Sequence, residues 1–186
     1  MPSRKKPSRR TRVLVGGAVL AVAGAGVVGT VAASAADSTG SAPAAVAARN
    51  GNLTQSTHLT LDAATKAAQA AVDAAEKDGR QVSVAVVDRT GNTLVTLRGD
   101  GAGPQSYESA ERKAFTAVSW NAPTSELAKR LEQAPNLKDI PGTLFLAGGA
   151  PVTAKGAPVA GIGVAGAPSG DLDERYAQAG AAALGR

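Results

Sequence analysis

The small size of the apolar side chains is the strongest constraint on how this chain folds. Hydrophobic residues make up 44% of the sequence but aromatic residues only 3%, so a core must be built from Ala, Val, Leu and Ile. A length of 186 residues is enough for one domain with its own core. Cysteine is absent, which excludes a disulfide scaffold, thiol catalysis and thiolate metal sites.

The first 35 residues have the pattern of an export signal. Residues 1–12 are cationic, residues 13–33 are uncharged, and Ala33-Ser34-Ala35 supplies the small residues that a signal peptidase recognises. Ser8-Arg9-Arg10-Thr11 matches the start of a twin-arginine signal, although Arg12 stands at a usually apolar position. The alternative is a permanent transmembrane anchor, but the many Gly and Ala residues make the stretch only weakly hydrophobic. We predict cleavage and no stable membrane anchor afterwards.

The basic charge of the chain belongs to this leader. Six of the 20 Lys and Arg residues lie in the first dozen positions, and no acidic residue precedes Asp37, so the remainder has 14 basic against 15 acidic groups. A nucleic-acid partner is therefore excluded, because non-specific phosphate binding needs a concentrated cationic face. Residues 36–57 predict a flexible linker, and residues 58–186 a folded domain.

The periodicity of the remaining sequence predicts an α+β domain. Thr60 is a candidate N-cap for a helix over residues 61–78, which Gly79 is placed to end. Strands over 81–88 and 93–98 form a hairpin around the turn at 89–92. The further predicted elements are helices over 106–120, 125–134 and 171–184, strands over 143–147 and 159–165, and a short extended segment at 152–153. Such grouping favours an antiparallel sheet covered by helices.

Three acidic pairs recur with a spacing of three residues, which places both carboxylates on one helix face. Glu108 and Glu111 are the best candidates to offer hard oxygen ligands to iron. The alternative is that both acids favour the first turn of a helix and that Glu108 pairs with Arg112. Asp171 and Glu174 are interpreted as a capping box, and Asp73 and Glu76 as part of a solvated face.

Other candidate motifs are weaker. His58 is the single histidine and can ligate a metal or haem as neutral imidazole, although a lone exposed histidine is more often a surface residue. A Ser-His-Asp triad is not expected, because no nucleophile-elbow motif is present. The glycines of the segment 161–166 resemble a dinucleotide fingerprint, but they lie on a strand and do not open a βαβ unit.

Three blocks identify the chain, from Leu59 to Arg186, as a member of the GlcG/HbpS family. These are Ser109-Ala110-Glu111-Arg112-Lys113-Ala114-Phe115-Thr116-Ala117, Leu146-Ala147-Gly148-Gly149-Ala150-Pro151, and the run from Gly161 to Glu174. The family also includes the C-terminal domain of PduO-type proteins, and with its export leader the chain is most similar to the secreted haem-binding members from actinomycetes. Tyr176 departs from the pattern, since many relatives have Cys there.

The resemblance implies a profilin-like sheet of about five strands flanked by helices, with haem and iron bound by a homo-oligomer, an octamer. It also implies a secreted, cell-surface-associated protein that responds to oxidative stress and modulates the extracellular domain of a membrane sensor histidine kinase. Thr143 is the implied haem contact, and Glu108 and Glu111, helped by His58, are the implied iron site. An ordinary strand threonine is the alternative for Thr143.

Haem chemistry narrows these expectations. Haem iron is normally held by His, Met, Cys or Tyr, and after cleavage the chain offers one His, two Tyr, no Met and no Cys. A tight site with two strong axial ligands in one subunit is therefore not expected, and loosely held haem suits sensing or scavenging. The alternatives are a haem-degrading enzyme, a scavenger without a kinase partner, and a role unrelated to haem. No residue set is typical of a catalytic site.

Overall fold

The structure, a computed structural model, describes residues 45–185. The predicted export signal over residues 1–35 and the first part of the predicted linker lie outside the described residues. The rest of that linker, residues 45–57, is exposed and contains one short 3-10 turn at Asn50–Asn52. None of the helices found within residues 45–185 has both the length and the hydropathy needed to cross a bilayer.

A single antiparallel sheet forms the centre of the domain. Its strands are β1 (Ser83–Asp88), β2 (Thr93–Arg98), β3 (Gly149–Ala154) and β4 (Ala157–Ala165), in the spatial order β2-β1-β4-β3. β1 and β2 form the predicted hairpin, and β4 pairs with both β1 and β3. The predicted α+β class is confirmed, with four strands among the described residues where about five were expected.

Within residues 45–185, four α-helices accompany the sheet: α1 (Leu61–Lys77), α2 (Ser106–Trp120), α3 (Thr124–Lys129) and α4 (Gly170–Ala182). Thr60 caps α1 as predicted, because its hydroxyl accepts a hydrogen bond from the backbone of Ala63, and Gly79 follows the helix with a φ of +66°. The predicted helix over 125–134 is shorter, because α3 ends at Lys129 and passes into a 3-10 turn over Arg130–Glu132.

Helices cover both faces of the sheet, so the central strand β1 is buried along its whole length. Val84 and Val86 point to the side of α1 and α4, while Ala85 and Val87 point to the side of α2. The core on the first side includes the alanines that recur along α1, and the core on the second includes Ala110 and Ala114 of α2. The interior is built from small aliphatic residues, as the composition required.

The predicted strand over 143–147 is wrong, because this segment is irregular. Its backbone groups bind side chains where a strand would bind a neighbouring strand. The amide of Leu144 donates to the Thr116 hydroxyl at 2.8 Å, and the carbonyl of Thr143 accepts from the Arg112 guanidinium at 2.8 Å. Strand pairing begins only at Gly149, so the short segment predicted at 152–153 belongs to β3.

The interpretation of Asp171 and Glu174 as a capping box is also wrong. Ser169 is the N-cap of α4, and its hydroxyl accepts from the amide of Leu172. Glu174 is 7% exposed and faces the interior. Asp73 and Glu76 are both exposed, as predicted for a solvated face.

Gly161 and Gly163 bring the backbone of α2 into direct contact with β4. A Cβ atom at Gly163 would lie 2.0 Å from the carbonyl oxygen of Ala110, and one at Gly161 would lie 2.1 Å from that of Ala114. Glycine is required at both positions because any side chain would overlap these oxygens. The glycines that resemble a dinucleotide fingerprint therefore serve packing between helix and sheet.

Gly163→Ala is expected to destabilise the domain by about 3 kcal/mol or more, since rigid backbone must move to accept the methyl group. Gly51→Ala is the matched control, because a Cβ there meets nothing within 4 Å. Urea unfolding followed by circular dichroism measures both. A Gly163→Ala protein as stable as the control would contradict the close approach.

Tyr176 joins α4 to the end of α1. It is 1% exposed, and its hydroxyl donates to Asp78 at 2.8 Å, while Arg175 pairs with the same carboxylate. Burial raises the pKa of Tyr176 above its ordinary value, and donation to Asp78 raises it further. Tyr176 is thus part of the core and of a polar contact between α4 and the end of α1.

A Tyr107→Phe variant isolates the titration of Tyr176, because the chain has only two tyrosines. Phenolate absorbance is expected to appear at higher pH in the folded protein than in urea. Since the folded-state pKa is raised, the stabilisation is complete below the unfolded pKa of about 10 and is lost as pH rises through the folded pKa. Tyr107→Phe with Tyr176→Phe should lose this part of the pH dependence. If the phenol titrates at the same pH in the folded and unfolded chains, the pKa of Tyr176 is not raised by folding.

Candidate functional site

Glu108 and Glu111 lie on the first two turns of α2, as the sequence predicted. The Glu108 side chain is 77% exposed, and its Oε1 lies 3.8 Å from an Arg112 nitrogen. Glu111 is half-buried, and its Oε1 accepts from the hydroxyl of Thr96 on β2 at 3.1 Å. The exposed carboxylate of Glu108 and the second oxygen of Glu111, which makes no hydrogen bond within residues 45–185, are of the kind that suits a hard cation such as iron.

A groove of about 180 Å³ runs beside this pair. It is lined by Glu111, Arg112 and Phe115 of α2, by the hairpin at Gly91, and by the turn at Gly142. The Phe115 ring lies between the two turns, since Cβ atoms at Gly91 and Gly142 would lie 3.0 and 3.6 Å from it. On one side of α2, the groove therefore presents the Phe115 ring, the Arg112 guanidinium and the Glu111 carboxylate.

Thr143 lies next to the groove but inside the protein. It is 1% exposed, and its hydroxyl donates to the carbonyl of Ile140 at 2.7 Å. Its carbonyl accepts from Arg112, which also faces Glu108. Arg112 therefore connects the predicted iron pair to the predicted haem contact through two polar contacts, one 3.8 Å and one 2.8 Å long.

His58 lies in the exposed segment before α1 and faces the end of β1. Its Nδ1 is 3.7 Å from Asp88, and its Nε2 is 2.6 Å from the Ser56 hydroxyl. The order of groups resembles a Ser-His-Asp triad, which the sequence had not led us to expect. However, 3.7 Å is too long for a hydrogen bond, and Ser56 lies in an exposed segment outside any helix or strand.

Asp88 organises the hairpin turn. Its Oδ1 accepts from the amides of Thr90 and Asn92 and from the Thr90 hydroxyl, at 2.6 to 2.9 Å. Burial opposes ionisation of Asp88, but these hydrogen bonds outweigh it and lower its pKa. The Asp88 carboxylate is thus a structural anion, and only its second oxygen faces His58.

Iron and haem place different demands on these residues. Within residues 45–185, no three His, Cys, Asp or Glu side chains are close enough together to hold a metal ion. Glu108 and Glu111 fit iron in chemistry, but completing the coordination requires water or groups from another copy. For haem, the groove supplies an aromatic wall and a guanidinium, which binds carboxylates well. Its 180 Å³ is below the range of about 300–1,000 Å³ usual for ligand pockets.

A buried polar network behind the irregular segment was not predicted from the sequence. Lys113 and Asp173 are both about 95% buried, and Lys113 Nζ lies 2.8 Å from Asp173 Oδ2 and 3.0 Å from the carbonyl of Val164. Glu174 accepts from the amide and hydroxyl of Ser125 and from the amide of Gly148. The available signal was the position of Lys113 among the alanines of the buried face of α2.

The folded domain is similar to proteins of known structure and to a known family. Residues 59–182 match the family of the haem-degrading protein HbpS. The chain is 88% identical to a glutamate-to-aspartate double mutant of HbpS from Streptomyces reticuli, covering 78% of this chain and 99% of that one with a TM-score of 0.77.

More distant relatives share the fold. The structure of a PduOC complex with haem is 28% identical, covers 68% of this chain and 95% of that one, and has a TM-score of 0.63. A 15.0 kDa protein of Citrobacter freundii, from the dhaT-dhaS intergenic region and of uncharacterised function, is 33% identical over 113 residues, which is 58% of this chain and 80% of its own length.

Proposed function

The chain belongs to the HbpS-like family of haem-degrading proteins, and from this membership and the site on α2 we propose that it is a secreted haem- and iron-binding sensor. In this proposal the protein is extracellular and associated with the cell surface, where it modulates a membrane sensor histidine kinase in response to oxidative stress. The observation that carries the proposal is the contact of Arg112 with both Glu108 and Thr143.

The iron part of the proposal rests on the exposed glutamates. In the HbpS double mutant, two glutamates three residues apart were replaced by aspartate. Glu108 and Glu111 are the only glutamates with this spacing in the present sequence. Replacing Glu by Asp keeps the carboxylate but shortens the side chain by one methylene, so it tests whether the carboxylate must reach a bound metal ion. A mutant of this kind supports a metal-ligand role for the pair. His58 is proposed as an additional ligand supplied by the segment before α1.

The haem part rests on the groove. The Phe115 ring offers a flat apolar surface, and Arg112 can pair with a propionate. A protein complex with haem among the structural relatives supports haem binding by this fold. Bound haem would supply redox-active iron. The chain's own contribution is to hold the ring edge and the carboxylates, with the backbone at Thr143 positioned by Arg112.

Arg112 gives the two sites a common element. A cation held by Glu108 and Glu111 would compete with the Arg112 guanidinium for Glu108, since both are attracted to the same carboxylate. Displaced from Glu108, Arg112 would be free to change its contact with Thr143. Iron binding would then shift the population of conformations of the irregular segment, and a kinase that prefers one of them would respond.

We further propose that the active form is a homo-oligomer, an octamer. The groove is too small to enclose haem, and the two carboxylates are too few to complete an iron site, so both sites gain from groups of another copy. Residues 1–35 are proposed as a cleaved twin-arginine signal and residues 36–57 as a linker. One alternative function is haem degradation, which the description of the family as haem-degrading favours. The other is scavenging of haem or iron without a kinase partner.

Replacing Glu108 and Glu111 together with Ala is expected to lower the amount of iron bound while leaving the fold intact, because Glu108 is exposed and Glu111 gives up only the hydrogen bond from Thr96. Isothermal titration with ferrous iron under anaerobic conditions measures the loss. The matched control is Asp73→Ala with Glu76→Ala, an exposed acidic pair of the same spacing on α1. Equal loss in both variants would mean that iron binds carboxylates without selectivity.

A haemin titration followed by the Soret band tests the haem site. The wild-type protein is expected to saturate, and Arg112→Gln to bind about tenfold more weakly, as expected when a hydrogen bond to a charged group is lost. Thr143→Ala should weaken binding by a smaller factor, because it removes the hydrogen bond to the Ile140 carbonyl that holds the segment carrying the Arg112 contact. Thr153→Ala, at an exposed position of β3, should titrate like wild type. A folded oligomer without a saturable Soret shift would exclude the haem proposal.

Two measurements on the same samples distinguish a sensor from a haem-degrading enzyme. If the protein is a sensor, the purified extracellular domain of the kinase binds the haem- or iron-loaded oligomer and the unloaded oligomer with different affinities. If it is an enzyme, tetrapyrrole cleavage products accumulate at a rate that depends on protein and exceeds that of free haemin. If the protein binds haem but neither discriminates in kinase binding nor cleaves the tetrapyrrole, the scavenging function is favoured.

A further inference from the structure

A second cavity, of about 240 Å³, lies at the start of α2 and shares no lining residue with the groove described above. Its walls are formed by the first turns of α2, the irregular segment before β3, and the chain between β4 and α4. The residues that matter for its chemistry are Gln105, Ser109, Lys113, Leu144, Leu146 and Asp173. Nothing in the proposed haem and iron sites uses it.

The Lys113 ammonium presents one unused donor to this cavity. Two of its three N–H groups are directed to Asp173 and to the carbonyl of Val164. The described part of the chain provides no acceptor for the third, although Lys113 is only 5% exposed. Because a buried N–H without an acceptor is costly, this third donor calls for an acceptor that enters through the cavity.

Two further polar groups at the cavity can donate to a ligand. The hydroxyl of Ser109 and the side-chain amide of Gln105 take part in no hydrogen bond within residues 45–185, and both line the wall. The partial positive charge at the start of α2 acts in the same direction. Asp173 offsets the charge of Lys113, so recognition of an anionic oxygen here rests on the N–H and O–H donors; one Asp173 oxygen accepts from Lys113 and the other from the amide of Ala167. The polar side of the cavity therefore suits an anionic oxygen.

The cavity also has an apolar lining. Leu144 and Leu146 line it, and Leu146 keeps 58% of its surface exposed. A volume of 240 Å³ corresponds to about eight water molecules, at about 30 Å³ each, which is too small for a nucleotide or a haem. The shape suits a carboxylate group attached to a short hydrocarbon chain.

We propose that this cavity binds a short-chain aliphatic monocarboxylate of three or four carbon atoms. Its carboxylate accepts from Lys113 Nζ, the Ser109 hydroxyl and the Gln105 amide, and its alkyl chain lies against Leu144 and Leu146. The site is independent of the haem and iron proposal, and it would make the irregular segment, which also carries Thr143, responsive to a small metabolite.

Sodium butanoate is the probe, titrated into the full mature oligomer and followed by isothermal calorimetry and by methyl resonances of labelled leucine. Wild type is expected to bind butanoate saturably, with shifts at Leu144 and Leu146. Acetate should bind about tenfold more weakly, since it lacks two methylene groups. Ser109→Ala should weaken butanoate binding about three- to tenfold, the effect of one hydrogen bond.

Ser109→Leu fills the cavity from a half-buried position whose side chain makes no hydrogen bond within residues 45–185, and it should abolish binding. Ser119→Leu is the matched control, exposed on the same helix and away from the cavity, and should bind like wild type. Lys113→Met is avoided as the main test because it leaves Asp173 buried and unpaired. The proposal is overturned if wild type shows no saturable binding, if Ser109→Leu binds like the control, or if acetate or inorganic phosphate binds as well as butanoate.

Discussion

The contact between α2 and β4 is the constraint on which the rest of the structure depends. Two glycines in β4 leave no side chain between strand and helix, so the carbonyls of Ala110 and Ala114 lie directly on the sheet. At this short distance, Lys113 reaches past the strand to the carbonyl of Val164 and to Asp173 on α4. The same placement fixes the opposite side of α2, where Glu108, Glu111 and Arg112 face outward.

Polar side chains replace a fifth strand. The segment from Thr143 to Gly148 is held by Thr116 and Arg112 of α2 and by Glu174 of α4. A strand is held by a ladder of backbone hydrogen bonds, whereas this segment, among the described residues, has backbone hydrogen bonds only at its two ends, from Thr143 to Ile140 and from Val164 to Gly148, and side-chain contacts between them. Leu144 and Leu146 of this segment line the cavity proposed for a carboxylate, and Gly142, just before it, lines the groove proposed for haem.

The features that were predicted correctly depend on local signals. The N-cap at Thr60, the stop at Gly79 and the alternation of Val84 and Val86 each act within a few residues, and the hairpin follows from its turn. The carboxylate pair at Glu108 and Glu111 was also predictable, because helical spacing alone puts both groups on one face.

The errors depend on partners distant in sequence. Thr143 to Ala147 has the composition of a strand, but its hydrogen-bond partners come from helices about 28 to 31 residues away. Glu174 has the spacing of a cap, yet its partners are Ser125 and Gly148. Lys113 gave only the weak signal of a charge among alanines, because its burial follows from an acid 60 positions later.

The alanine-rich interior has a consequence for how this sequence can vary. More than half of the buried hydrophobic residues are alanine, including five along α1. Most core substitutions in other proteins remove atoms and leave cavities, but these positions have almost nothing to remove. Nearly every change here adds volume, and overpacking is resisted by neighbouring backbone. Drift at these positions is therefore confined to exchanges among the smallest residues, while the exposed faces that carry the ligand sites remain free to diverge.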